Sequence, residues 1–133
     1  MIVLDTHVWV WWVHAAPQLT PADLQSLDAG VPDGLGVSII SCWEVAKLVE
    51  YGRLRLPCDV EQWLRQALTY PGVQLLELTS RIVVESTRLP APFHRDPADQ
   101  MIVATGREYG APVATADNKI LRYPHVKTLR MGG

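Results

Sequence analysis

Short apolar runs alternate with segments of helical periodicity along the whole chain, and this alternation restricts the fold more than any other feature. The runs are residues 1–4, 37–40, 73–78, 112–115 and 126–129. Near-continuous apolar character marks strands buried on both faces, as in a parallel sheet. Helices are predicted between them at 7–15, 21–28, 41–51, 59–69, 80–88 and 97–109, with a short helical turn starting near Asp117. Thr20, Asp59 and Asp96 stand at N-cap positions, Pro21 and Pro97 at first helical positions, and Gly52 and Gly110 just past helix ends. Residues 30–36 read as loop. Strands joined by helices at this spacing need crossover connections. The expected fold class is therefore α/β, a three-layer α/β/α sandwich around a mostly parallel sheet of about five strands.

With 133 residues, one domain spanning 1–133 is expected. The chain is 48% apolar and 20% charged, enough to bury a core. Its longest unbroken apolar run, residues 8–13, is six residues long, far short of the roughly 18 that a membrane span needs. The first residues show neither a basic stretch nor a cleavage site, so a cytoplasmic location is expected. Cys42 and Cys58 form no C-x-x-C pair, and neither a disulfide framework nor a structural zinc site is implied. The net charge of −2 argues against a wholly basic nucleic-acid coat but is compatible with a nuclease, in which a local basic patch holds phosphates and acids hold metal.

The carboxylates are the informative residues. Asp5 ends the first strand, Glu44 lies in the first turn of the helix after the second, Asp96 and Asp99 open the long helix, and Asp117 follows the fourth strand. In such sheets ligands bind outside the carboxyl ends of the strands. Most of these acids also have a structural reading. Ser41 and Glu44 match a capping box, Asp96 a helix cap, Asp99 a favourable dipole partner and Asp117 a cap for its own turn. Asp5 lacks an obvious capping task, because Thr6 can cap the helix from His7. Acids that converge repel one another, and a hard divalent cation is their natural partner.

The segments Met1-Ile2-Val3-Leu4-Asp5-Thr6-His7, Ser41-Cys42-Trp43-Glu44-Val45-Ala46, the stretch from His94 to Ala104 and Thr115-Ala116-Asp117 together resemble the four motifs of PIN-domain nucleases, in order. The nearest branch in pattern is the VapC-type toxins of bacterial toxin–antitoxin pairs. That resemblance implies a Mg²⁺-dependent endoribonuclease, with Mn²⁺ as a possible substitute. It assigns Asp5, Glu44, Asp99 and Asp117 to catalysis and metal binding, and Thr6, Asp96 and Thr115 to their support. It further implies a DNA-binding antitoxin partner and a homodimer. Hydrolysis by a metal-activated water would leave a 5′-phosphate and a 3′-hydroxyl. Gln100 stands where many relatives carry Arg, which removes one candidate phosphate or carboxylate contact. Arg95, Lys119, Arg122 and Arg81 are candidate RNA contacts, each with solvated surface charge as the plainer reading.

Other features carry two readings each. Trp9, Trp12 and Val13 share a helix face that suits a core, whereas Trp11 points away from it and suits an interface. Leu48, Tyr51, Leu54 and Leu56 can line a groove for a partner helix or pack on the next helix. His94 is close in sequence to Asp96 and can approach the site, with a loop histidine as the plainer reading. Competing functions are a metal-independent ribonuclease with two histidines, a phosphatase or receiver-like domain, and a catalytically silent PIN-like RNA- or protein-binding module. His7 two positions after Asp5 excludes the D-x-D nucleophile motif of the phosphatase, and no acid of the quartet is missing, which disfavours the silent module.

Overall fold

The first strand, β1 (Ile2–Leu4), runs through the middle of the sheet with Val3 and Leu4 fully buried on its opposite faces. The computed structural model describes residues 1–132; Gly133, the last residue of the expected domain, lies outside them. After β1 come α1 (Thr6–Val13), α2 (Pro21–Gly30), a 3-10 turn (Val31–Asp33), β2 (Leu35–Ser38), α3 (Ile39–Glu50), α4 (Val60–Ala67) and β3 (Val73–Leu76). Then follow α5 (Ser80–Ser86), α6 (Pro97–Tyr109), β4 (Val113–Thr115), α7 (Asn118–Leu121) and β5 (Thr128–Arg130). The five strands pair in the order β3-β2-β1-β4-β5, all parallel.

Alternation along the strands divides the core in two. Leu4, Leu35, Val37 and Ala114 face one side with Val8, Trp9, Leu27, Val45 and Trp63 from α1 to α4. Val3, Leu76 and Val113 face the other with Ile102, Val103 and Ile120 from α6 and α7. Helices thus cover both faces, as the apolar strands require, and the three-layer α/β/α architecture is the one expected. Gly106 lets α6 lie close on the sheet, since a Cβ there would stand 2.7 Å from Val113 Cγ2. Gly110 closes α6 in the left-handed conformation, φ 59°.

Several boundaries differ from the expectation. The second strand is Leu35–Ser38, not 37–40, and residues 30–36 are not one loop. Pairing with β3 ends at Ser38↔Leu76, and the Ser38 hydroxyl then accepts from the Ile40 amide at 3.2 Å. That cap draws the β-branched Ile39 and Ile40 into the first turn of α3. The first helix starts at Thr6, one residue early, with Asp5 as its cap. The last strand is Thr128–Arg130 rather than 126–129, because Val126 packs into the second core cluster and leaves Thr128 to pair with Val113. No helix among the described residues is long and apolar enough to cross a membrane.

Candidate active site

The sheet reverses its strand order between β1 and β4. A crevice opens outside the carboxyl ends of strands at such a reversal. Asp5 leaves β1 there, and Asp117 stands two residues beyond the end of β4. Together with Glu44 from α3, Asp96 and Asp99 from the start of α6, and His7, Trp11 and Ala116, they line one cavity of about 400 Å³.

Each carboxylate is held by its surroundings. Asp5 is 6% exposed. Its Oδ1 accepts from the Thr6 amide at 2.8 Å, and its Oδ2 accepts from Thr115 Oγ1 at 2.6 Å. Thr115 Oγ1 also accepts from the Asp117 amide at 3.0 Å. Thr6 Oγ1 lies 2.5 Å from Glu44 Oε1 and 2.9 Å from Ser41 Oγ. A hydroxyl has one proton to give, and a carboxylate accepts it, so Ser41 donates to Thr6 in turn. Asp96 Oδ1 caps α6 by accepting from the Asp99 amide at 3.0 Å. Asp117 Oδ1 caps α7 through the Lys119 amide at 2.8 Å.

The electrostatics are those of crowded, partly dried acids. Burial pushes the Asp5 carboxyl above its usual range against the hydrogen bonds from Thr115 and Thr6. Burial also raises Glu44, with Asp5 and Asp96 adding to the shift. Asp99 rises to about 8, through burial first and then through Asp5, Asp96, Asp117 and Glu44. The cavity lining holds no Lys or Arg to offset five carboxylates. The donor set fits a divalent cation, being oxygen-rich and anionic with room beside it for water and phosphate oxygens. A further observation points the same way. His94 Nε2 is shielded from solvent and lies 2.9 Å from Asp99 Oδ2, yet makes no hydrogen bond.

The PIN domain family model matches residues 2–126 of this chain. The chain belongs to the PIN domain family. This PIN domain is 33% identical over 124 residues to Ribonuclease VapC22 of Mycobacterium tuberculosis, covering 93% of the chain and 92% of that protein. Its fold matches that of VapBC2 from Rickettsia felis, solved bound to a DNA fragment from their promoter, with a TM-score of 0.71 and 16% identity over 98% of this chain and 99% of that one. It also matches a toxin-antitoxin complex from Klebsiella pneumoniae, with a TM-score of 0.68 and 19% identity over 97% and 96% of the two chains.

The PIN fold brings together all the acids that the sequence singles out, and places Thr6 and Thr115 against them. Both threonines are fully buried. Ser41 and Glu44 do not form a capping box: Ser38 is the cap, and Glu44 turns its carboxylate to Thr6. Lys119 and Arg122 line a second cavity, of about 270 Å³, with Phe93, His94 and Tyr123. Arg95 is exposed and lines neither cavity. Arg81 is turned aside, paired with Glu108 at 3.0 Å.

Three residues near the site differ from the plainer sequence reading. His94 is no ordinary loop histidine, since its ring stands against Asp99. Trp11 does not face outward but is half-buried on the wall of the acidic cavity. His7, four residues before it on α1, stands beside it with ring centroids 6.0 Å apart. The usable signal was that i, i+4 spacing on a helix capped by Asp5. Leu48 and Leu54 line a small groove with His7, Trp11 and His14. Leu54 and Leu56 also pack against the core, whereas Tyr51 is 66% exposed.

Proposed function

We propose that this PIN domain is a divalent-metal-dependent endoribonuclease and the toxin of a VapC-type toxin–antitoxin pair. The observation that carries the reading is the gathering of Asp5, Glu44, Asp99 and Asp117 around one cavity without a basic residue to balance them. The 33% identity to a protein named as a ribonuclease supports it. In this reading those four carboxylates hold Mg²⁺ or Mn²⁺. The bound cation supplies positive charge to phosphate oxygens and acidifies a water.

The chain's own residues do the rest. Thr115 aims Asp5 and fixes the backbone before Asp117, and Thr6 aims Glu44. Asp96 holds Asp99 in place as the cap of α6. Lys119 and Arg122 bind the RNA backbone beside the cavity, where Phe93 offers an aromatic surface for a base. Arg95 adds a phosphate contact from the exposed start of α6. Single-stranded RNA suits an open cavity of this kind, because its bases can splay. The expected products carry a 5′-phosphate and a 3′-hydroxyl.

We assign the groove of Leu48, Leu54, Trp11 and His14 to an amphipathic segment of a DNA-binding antitoxin. The groove shares His7 and Trp11 with the acidic cavity, so an occupant also narrows access to the carboxylates. A homodimer of single domains spanning 1–133 completes the proposal. The test is digestion of end-labelled total RNA by the purified chain, with Mg²⁺ and with EDTA. Discrete cuts with Mg²⁺ alone, ending in 5′-phosphates, are expected. Cutting that persists in EDTA and leaves cyclic phosphates would transfer the chemistry to the histidines.

A further inference from the structure

His94 arrives from the loop before α6, lines the cavity of Lys119 and Arg122, and comes close to Asp99 and Asp117 of the acidic cavity. One ring nitrogen of His94, one carboxylate oxygen of Asp99 and one of Asp117 all lie within 4.8 Å of one another. Nε2 stands 2.9 Å from Asp99 Oδ2 but forms no hydrogen bond, and solvent does not reach it. A protonated nitrogen beside a carboxylate would aim its N–H at the oxygen. A bare nitrogen would bring its lone pair against that of the oxygen, which is repulsive unless a proton or a metal ion lies between them. Neighbouring donors on one octahedral ion, with bonds of about 2.1 Å, stand about 3 Å apart. The 2.9 Å between Nε2 and Oδ2 suits a proton shared by the two groups and equally two atoms bound to one ion.

The ring is held for this task. Gln100 Nε2 donates to the His94 carbonyl at 3.1 Å, and the Phe93 ring packs 4.5 Å from the imidazole. Gln100 lies in the first turn of α6. Here its side chain ties the histidine loop to α6.

We propose that His94 Nε2 is a nitrogen ligand of the cation held by Asp99 and Asp117, and that it biases the site toward Mn²⁺ over Mg²⁺. The proposal rests on the reading of the cavity as a cation site. Mg²⁺ favours all-oxygen shells, whereas imidazole favours the first-row transition ions.

The experiment is pulsed electron paramagnetic resonance of Mn²⁺ added to the purified full chain, with calorimetry of Mn²⁺ and Mg²⁺ on the same samples. Echo modulation from a directly bound ¹⁴N is expected in the wild type and is lost in His94→Ala and His94→Gln. Loss of the ligand is expected to weaken Mn²⁺ binding about 10-fold or more, the scale seen when support of a metal site is removed, and Mg²⁺ binding less. Bound Mn²⁺ without nitrogen modulation in the wild type overturns the proposal. Modulation that persists in His94→Ala also overturns it and points to His7. If no Mn²⁺ binds at all, the cation-site reading fails first. The wild-type spectrum decides the case even if both variants fold poorly.

Discussion

Thr115 Oγ1 donates to Asp5 Oδ2 at 2.6 Å, joining residues 110 positions apart at the ends of β4 and β1. The same hydroxyl accepts from the Asp117 amide. One buried side chain therefore orients an acid on each side of the strand-order reversal. It can do so because β1 and β4 are neighbours with Leu4 opposite Ala114, which sets the next residues of the two strands side by side.

Thr115→Val keeps the shape and removes both hydrogen bonds. It is expected to cost about 1–3 kcal/mol of stability, the usual penalty for a buried acceptor left unpaired. Metal affinity should fall about 10- to 100-fold, as for other residues that support metal ligands. Thr115→Ser should restore most of both. Calorimetry and thermal unfolding of the three proteins check this, and a valine variant with unchanged Mn²⁺ affinity would show that the hydroxyl is idle.

The raised Asp99 pKa has a stability consequence in metal-free protein. Its carboxyl titrates near 8 when folded and near 3.8 as a free group. The folded state therefore binds the proton more tightly, and stability falls as pH rises through that window. Asp99→Asn removes the charge. In EDTA, the variant should gain melting temperature over wild type at pH 8.5, and the gain should shrink toward pH 5. A pH-independent difference would contradict the shift.

Cation binding must displace that proton. At pH 7 most Asp99 carboxyls are protonated in the metal-free state, so Mn²⁺ binding should release about one proton per site. Apparent affinity should climb with pH and level off above about 8. Titrations in buffers of different ionisation heat measure the release directly. Asp99→Asn should abolish most of it.

Lys119 and Arg122 should act on RNA through its phosphates. In an Asp5→Asn background, where RNA binds without being cut, replacing both by Ala should weaken binding of single-stranded RNA of any sequence. The slope of log affinity against log salt should drop by about 1.4, or about 0.7 for each lost contact. Arg81→Ala should change neither quantity, because Arg81 lines neither the acidic cavity nor the one beside it. Fluorescence anisotropy at several salt concentrations separates the two outcomes.

The sequence made the site legible where an acid directly ended an apolar strand or opened a helix. Asp5, Asp99 and Asp117 needed only the order of elements to be brought together. Glu44 was legible as a site residue, but its structural reading as half of a capping box fails, because Ile39 and Ile40 look like strand and moved the apparent cap from Ser38 to Ser41. His94 was hidden for another reason. The segment before α6 forms no helix or strand, and the packing of Phe93 between His94 and Tyr123, with the Gln100 hydrogen bond to the His94 carbonyl, directs the ring inward. Trp11 was misplaced because a single amphipathic face was assumed for α1. That helix touches the core on one side and the acidic cavity on another.

The most direct test is cleavage of end-labelled RNA in Mg²⁺ by the purified chain and by Asp5→Asn. Asparagine keeps one oxygen to accept from the Thr6 amide, and its Nδ2 can donate to the Thr115 hydroxyl in place of the bond that Asp5 Oδ2 accepts, so the side chain stays bonded on both sides. The account predicts discrete, EDTA-sensitive cuts by the wild type and their loss in the variant, with both proteins melting cooperatively. Equal, metal-dependent cutting by the two proteins would contradict it, because the carboxylate at the centre of the proposed site would then have no part in the reaction.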